Sequence, residues 1–393
     1  MQYILYDGIM RNNLLPFTYT RAVADIRVGI LTIREKWEHA LGSRTYTLTQ
    51  SHLRRKYPGA DVQHARILIE ASYLPGRELV EMIHRLPPNA KLTYRDEIVA
   101  IHLEAGAEKT DVSTFETLEF PGELSRLERT WDIFRLNARW IELDFQLITK
   151  DRNSTNLPGW VQAVNPENIF IEPGAKLLPG AILNAEEGSI YIGKNAVVME
   201  GAMIRGPFAL GENSQIKMGA KIYPGTTVGP HSKVGGEVSN SVFFGYANKA
   251  HDGYLGNSVI GEWCNLGAGT NNSNLKNNYA PVKLWSYESA RFENTGLQFC
   301  GLMMGDHSKS GINTMFNTGT VVGVSANIYG SNFPRNFIPS FSWGGANGMR
   351  TYQLEKALDT ARIVMSRRGL ELDDTERGIL EHIFRETSKY RKE

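Results

Sequence analysis

The sequence predicts three architectures in succession: an α/β region over residues 1–160, a parallel β-helix over 161–345, and a helical tail over 346–393. Three observations carry this. An aliphatic residue stands at every sixth position from Ile192 through Val198, Ile204, Leu210, Ile216, Ile222 and Val228 to Val234. Glycine is unevenly spread, with 8 in residues 1–170, 28 in 171–350 and 2 in 351–393. Before residue 160, short apolar runs alternate with stretches of helical spacing.

A period of six fits neither a 3.6-residue helix nor simple strand alternation. It does fit a coil in which each hexapeptide forms one flat side. The residue four places after each aliphatic is small or hydroxylated at Ala196, Ala202, Ser214, Ala220, Thr226 and Ser232, with Phe208 and Val238 as exceptions. The register extends upstream to Ile171, Leu177 and Leu183, and downstream to Ile260 and Leu266. It returns at Met304, Ser310, Phe316, Val322 and Ile328. Between Ser241 and Gly253 the six-residue step fails, so this stretch is expected to bulge from the coil. Flat faces of short strands also suit cyclic association, and a homotrimer is expected.

In the first 160 residues, Tyr3–Tyr6 and Ile67–Ile69 read as buried strands, and Leu92–Ile101 as a further strand. Val28–Leu41 and Gly76–Leu86 have helical spacing, and Trp131–Ile148 mixes both patterns before a linker at Asn153–Pro158. Such alternation predicts a parallel sheet with covering helices, a Rossmann-like arrangement. In the tail, Thr351–Met365 and Asp374–Tyr390 read as two helices packed on the coil or on a neighbouring subunit.

A formal net charge of +1 over 393 residues offers no general attraction to nucleic acid or to anionic membrane. Two cysteines, Cys264 and Cys300, make no disulfide framework or cysteine metal cluster, so a reducing, cytoplasmic setting is the expectation. The opening Met1–Asp7 does not read as a signal peptide, and no apolar run approaches the roughly 20 residues of a membrane span.

The stretch Lys249-Ala250-His251-Asp252-Gly253-Tyr254, followed by Asn265-Leu266-Gly267-Ala268-Gly269-Thr270 and Asn274, interrupts the strict register with groups suited to acyl transfer. An amine attacks a thioester when neutral, and histidine is the side chain best suited to remove its proton near neutral pH. His251 is therefore the candidate base. Asn265 and Asn274 can donate to a sugar hydroxyl or thioester oxygen, the backbone near Ala268 can serve as oxyanion donor, and Tyr254 can cap a sugar site. Asn274 also reads as a turn residue. His231 and His307 read as corner or surface residues; His307 with Lys309 is the alternative candidate for a cofactor phosphate.

These motifs, in this order along the chain, resemble the GlmU-like family: a sugar-1-phosphate uridylyltransferase domain joined to a glucosamine-1-phosphate N-acetyltransferase domain. In that family a His, a Tyr three residues later, an Asn-Ile-Gly-Ala-Gly-Thr run and a further Asn form the acetyl-transfer site. Leu14–Arg21, Val28–Trp37, Trp131–Phe134 and Gly305–Lys309 resemble the signatures of a divergent branch of these proteins. The resemblance implies a nucleotidyltransferase-like first domain, a left-handed β-helix, acetyl-CoA as co-substrate, and a sugar phosphate or nucleotide sugar as partner. It also implies Mg²⁺ and UTP or dTTP for the first domain.

Departures from the family pattern bear on the substrate. Tyr223 and Ser241 stand where an arginine and a lysine are expected to grip the sugar phosphate; Lys249 and Lys283 are candidate substitutes. The loop after the first strand, Asp7-Gly8-Ile9-Met10-Arg11, carries one glycine where the family has a glycine-rich phosphate loop. Arg11, Arg21 and Arg27 remain candidates for a nucleotide triphosphate. The expected metal aspartate falls at Ser72, with Asp7, Glu70, Asp132 and Asp144 as other carboxylates. Three readings follow: N-acetyl transfer, with or without nucleotidyl transfer; nucleotidyl transfer with a structural trimerising coil; and a non-catalytic ligand-binding scaffold.

Overall fold

A computed structural model of the protein describes residues 1–61, 63–107 and 111–391. The chain forms two compact units. The first comprises residues 1–14, 20–26 and 31–129; the second comprises 15–19, 27–30 and everything from Thr130 onward. The first unit therefore closes about thirty residues before the boundary at 160 that the sequence suggested.

Unit 1 is built on a six-stranded sheet of β1 (Gln2–Tyr6), β2 (Thr45–Leu48), β3 (Arg66–Glu70), β4 (Ala90–Tyr94), β5 (Glu97–Leu103) and β6 (Glu116–Glu119), in the order β2-β1-β3-β5-β4-β6. β1, β2 and β3 run parallel, but β5 is antiparallel to both β3 and β4, so the expected all-parallel sheet is mixed. The cause is local. Arg95 and Asp96 both adopt positive φ and fold Leu92–Ile101 into a hairpin of two strands where one strand was expected. Helix α1 (Ile33–Leu41) starts later than its apolar spacing suggested, because Thr32 and Glu35 form a reciprocal capping box and Gly42 ends it at φ +61°. Helix α2 (Arg77–His84) lies where expected.

In unit 2 the hexapeptides form three stacked sheets, the arrangement typical of a left-handed parallel β-helix. Each turn visits face A, face B and face C in order, as in Met203–Arg205, Phe208–Leu210 and Gln215–Ile216. Ile192 pairs with Leu210 and Leu210 with Val228, an 18-residue turn. The aliphatic series from Ile192 to Val234 lies in the lumen at 2% exposure or less, together with the small residues beside it. Burial at roughly 25 cal/mol per Å² over such a continuous stack is the main force holding the coil.

The expected bulge at Ser241–Gly253 does not form. Val228 pairs with Phe243, Val234 with Lys249 and Val238 with Leu255. The coil drops residues at its corners and keeps its strands stacked. What does leave the coil is the segment after Asn272, which carries an antiparallel hairpin of Lys283–Ser286 and Arg291–Asn294 before the register resumes at Leu302.

Helix α3 (Asp132–Thr149) is helical throughout and packs on the coil, which explains its place in unit 2. Asn137 donates to the Gly225 carbonyl and accepts from Gly29 N–H, while Glu142 accepts from the backbone and hydroxyl of Ser189. The tail forms helices α4 (Leu354–Ser366) and α5 (Asp374–Glu386), after a strand at Gly348–Thr351 that takes Thr351, the first residue expected in α4. Of the two packings expected for the tail, contact with the coil is present: Phe384 meets Phe341 edge-on, and Arg391 donates to the Ser340 carbonyl.

Candidate functional site

The groups singled out in the motif gather around one edge of the coil. His251 lies at the corner between face C (Asn248–Lys249) and face A (Tyr254–Gly256), and is exposed. Ala268 occupies the equivalent corner one turn on, since Gly269 N–H donates to the Asp252 carbonyl at 3.0 Å. The Ala268 carbonyl accepts from Asn313 N–H, whereas its own N–H makes no hydrogen bond among the described residues. On face A, Asn274 Nδ2 donates to the Tyr254 hydroxyl at 2.9 Å and to Asn257 Oδ1 at 2.7 Å. On face C, Asn265 Oδ1 accepts from Asn248 at 2.7 Å, which leaves its amide N–H₂ directed elsewhere. Tyr254 and Asn274 are thus directly joined, His251 and Ala268 are neighbours on the corner, and Asn265 lies around it.

Lys249 takes a different place from the one expected of a substrate cation. It fills a lumen position, stacked on Val234 at 2% exposure, and its ammonium donates to the carbonyls of Gly235 and His251 at 3.1 Å each. Burial pushes its pKa down to about 8, against a weaker opposing pull from Asp252. Its amine therefore fastens the corner that presents His251. Ser241, where a phosphate-gripping lysine was projected, is fully buried and donates to the Ser239 carbonyl, so that position faces inward. Tyr223 is exposed, immediately after the face A strand Lys221–Ile222. Lys283 lies on the hairpin, in a cleft of about 580 Å³ beside Lys276 and Arg335 that none of the corner residues lines.

His231 and His307 are corner residues, as expected. Both adopt the left-handed conformation between faces B and C and join Tyr246 and Trp263 in a column of near-parallel rings, with centroid spacings of 4.7, 4.2 and 6.2 Å. Lys309 Nζ donates to the His307 carbonyl at 2.8 Å, and burial lowers its pKa.

The asparagines at 248, 257, 271 and 272 were not singled out from the sequence. Asn271 accepts from Tyr254 N–H, and Asn272, 3% exposed, bonds both the N–H and the carbonyl of Gly256. A signal existed: Asn248/Asn265, Tyr254/Asn271 and Asn257/Asn274 are each 17 residues apart, the length of the local turn, so they stack.

In unit 1 the loop after β1 is occupied by the protein's own carboxylates. Asp7 accepts from Val23 N–H at 2.8 Å and from Thr49 Oγ at 2.5 Å. Glu70 accepts from Ser72 Oγ and lies against Gly8 so closely that a Cβ there would fall 2.4 Å from Oε1. The Gly8 backbone N–H, the kind of donor that cradles a phosphate, is directed at Glu70. Arg11 lies 3.8 Å from Asp7 and is buried, as is Arg21. Burial raises the pKa of Asp7 and of Glu70. Among the described residues no group of three or more metal-ligating side chains occurs.

Three residues grouped with this domain belong elsewhere. Arg27 is in unit 2, donating to the carbonyls of Phe244 and Ile30. Asp144 is 1% exposed and accepts from Ile30 N–H, and Asp132 pairs with Arg135 at the start of α3. The partners named here all belong to unit 2.

Comparison with known proteins agrees with the motif resemblance. Residues 3–153 match the family described as sugar nucleotidyl transferase. A bifunctional protein GlmU of Methanocaldococcus jannaschii is 37% identical over 106 residues, 26% of this chain and 25% of that protein. The corresponding protein of Thermodesulfovibrio yellowstonii is 26% identical over 225 residues, 50% of this chain and 46% of its own. A bifunctional sugar-1-phosphate nucleotidylyltransferase/acetyltransferase of Sulfurisphaera tokodaii is 32% identical over 145 residues, 36% of each chain. The matches thus span from a quarter to just under half of those relatives. Among solved structures, an Arabidopsis UDP-N-acetylglucosamine acyltransferase aligns over 60% of this chain and 99% of its own at 16% identity, with a TM-score of 0.26, too slight to bear on function. Among the described residues, no helix is long and apolar enough to cross a membrane.

Proposed function

We propose that the protein is a transferase whose coil carries acetyl-CoA-dependent N-acetylation of an amino-sugar phosphate or nucleotide sugar. The observation that carries this reading is the corner itself: an exposed His251 beside an Ala268 N–H that has no hydrogen-bond partner among the described residues, next to the bonded pair Tyr254–Asn274. In this reaction the acceptor amine attacks the thioester carbonyl carbon, the C–N bond forms, and His251 takes the amine proton. The oxyanion is held by the Ala268 N–H and the Asn265 amide; the C–S bond then breaks and the thiolate recovers the proton. Tyr254 and Asn274 orient the sugar. The family arrangement implies a trimer, which light scattering at micromolar protein tests; a monomer would count against it. The test of the reaction is acetyl transfer by the full chain to glucosamine 1-phosphate and to amino nucleotide sugars. No transfer to any of them, with acetyl-CoA bound, would overturn it.

A second reading, nucleotidyl transfer to a sugar 1-phosphate, is favoured by the family match over residues 3–153. Against it stands the loop after β1, where the Gly8 N–H is already engaged by Glu70. Calorimetric titration of UTP and dTTP with magnesium decides: tight binding lost in Arg11→Ala or Arg21→Ala supports nucleotidyl transfer, and absence of binding removes it.

A further inference from the structure

Face C carries a second feature that the acyl-transfer corner does not use. Lys233 pairs with Asn248, Asn248 with Asn265, and Asn265 with Lys309, so these four side chains form one column up the outside of the coil. Parallel strands are about 4.8 Å apart, which sets the two lysines roughly 14 Å from each other with two amides between them. The segment just beyond α4 lies against this column. Arg367 and Arg368 join Lys233, Lys309, Asn265 and Trp263 around a cleft of about 490 Å³.

Four cations line the cleft and no carboxylate does. Lys233, Arg367 and Arg368 make no ion pair among the described residues, in contrast with Arg362 within α4, which pairs with Asp359. Arginines beyond a helix end complement its dipole, but that effect does not require them to converge on a lysine. The convergence has a cost: burial and then the neighbouring Arg368, Lys217 and Arg367 lower the pKa of Lys233. Like charges held together without a counterion are relieved by an anion. The amides of Asn248 and Asn265 add neutral donors along the column, and the flat column of Tyr246 and Trp263 lines the same cleft.

We propose that this cleft binds the phosphates of a substrate, with Arg367 and Arg368 from the tail closing on a lysine–asparagine column of the coil. The cleft shares Asn265 with the acyl-transfer corner, so the bound ligand is one of that reaction's two substrates; this part rests on the acetyl-transfer reading. The shared chemistry is a phosphate or diphosphate group, supplied either by the coenzyme of the acyl donor or by the sugar phosphate acceptor. An acceptor there would meet cations in place of the clamp missing at Tyr223 and Ser241.

The test is calorimetric titration of the full chain with inorganic pyrophosphate, then with coenzyme A and with glucosamine 1-phosphate. Pyrophosphate is expected to bind, with affinity falling about tenfold for each of Arg367→Ala and Arg368→Ala, and unchanged in Arg362→Ala. Competition assigns the source: displacement of pyrophosphate by coenzyme A marks the donor, and displacement by glucosamine 1-phosphate the acceptor. Lack of pyrophosphate binding, or binding indifferent to both arginine substitutions in folded protein, overturns the proposal. His251→Ala is expected to keep pyrophosphate affinity. Absence of acetyl transfer with pyrophosphate binding intact would therefore sink the reaction while leaving the phosphate site standing.

Discussion

The corner at His251 and the loop at Gly8 are opposite solutions to placing polar groups. At the corner, polar atoms are held by neighbours in adjacent turns, yet the exposed imidazole and the Ala268 N–H have no hydrogen-bond partner among the described residues. At the loop, the Gly8 N–H is turned onto Glu70, and Asp7 itself is held by Val23 N–H and the Thr49 hydroxyl. A coil stacks backbone on backbone, so its corners are fixed without using their side chains. The loop after β1 has no such scaffold and uses its donors to hold itself. Readiness for a ligand thus depends on what else holds the backbone in place.

The largest expected effect tests the corner. His251→Ala is expected to leave the unfolding temperature nearly unchanged and to lower acetyl turnover by about 10²–10⁴-fold. The loss is expected to shrink at high pH, where more acceptor amine is already neutral. Unchanged turnover would place the base elsewhere and erase the contrast with the loop.

Next is a difference in pH response between the two units. Lys249 binds its proton less tightly folded than unfolded, with its pKa lowered to about 8 from 10.5. Between those values the unfolded chain holds more protons, so stability rises with pH, by at most about 3 kcal/mol. Lys249→Met is expected to abolish that rise in denaturant unfolding of the coil and to be neutral or stabilising at pH 7. A rise that persists in the variant would show that the lysine is not its source.

Glu70 and Asp7 give the reverse sign. Their folded pKa values are raised, so the proton is held more tightly in the native state. That contribution is complete below the unfolded carboxylate range and is lost as pH rises through the folded values. Unit 1 is therefore expected to be more protected from hydrogen exchange in mildly acidic buffer than at pH 7. Glu70→Gln is expected to flatten the dependence. Equal protection at both pH values would remove the claim.

The smallest effect concerns the sugar side of the corner. Asn274→Ala removes one hydrogen bond to the Tyr254 hydroxyl, worth about 0.5–1.5 kcal/mol. It is expected to raise KM for the acceptor by a few-fold to about tenfold, with the KM for acetyl-CoA unchanged. A rise in the acetyl-CoA KM instead would move Asn274 from the acceptor side to the donor side.

The sequence by itself determined the coil, because a β-helix buries one residue per hexapeptide and writes that burial as a period: every sixth-position aliphatic from Ile192 to Val234 is in the lumen. It also held the corner motif, since His251, Tyr254, Asn265, Ala268 and Asn274 lie within two adjacent turns, where spacing along the chain translates into spacing in space. Tertiary structure decided the rest. Lys249 reads as an exposed cation beside a histidine and becomes a lumen residue only because the turn shortens to 15 residues between Val234 and itself. The reversal of β5, the assignment of α3 to the coil, and the meeting of Arg367 and Arg368 with Lys233 join residues distant along the chain. Pairings between such distant segments are selected by packing of whole elements, and no local period or spacing encodes them.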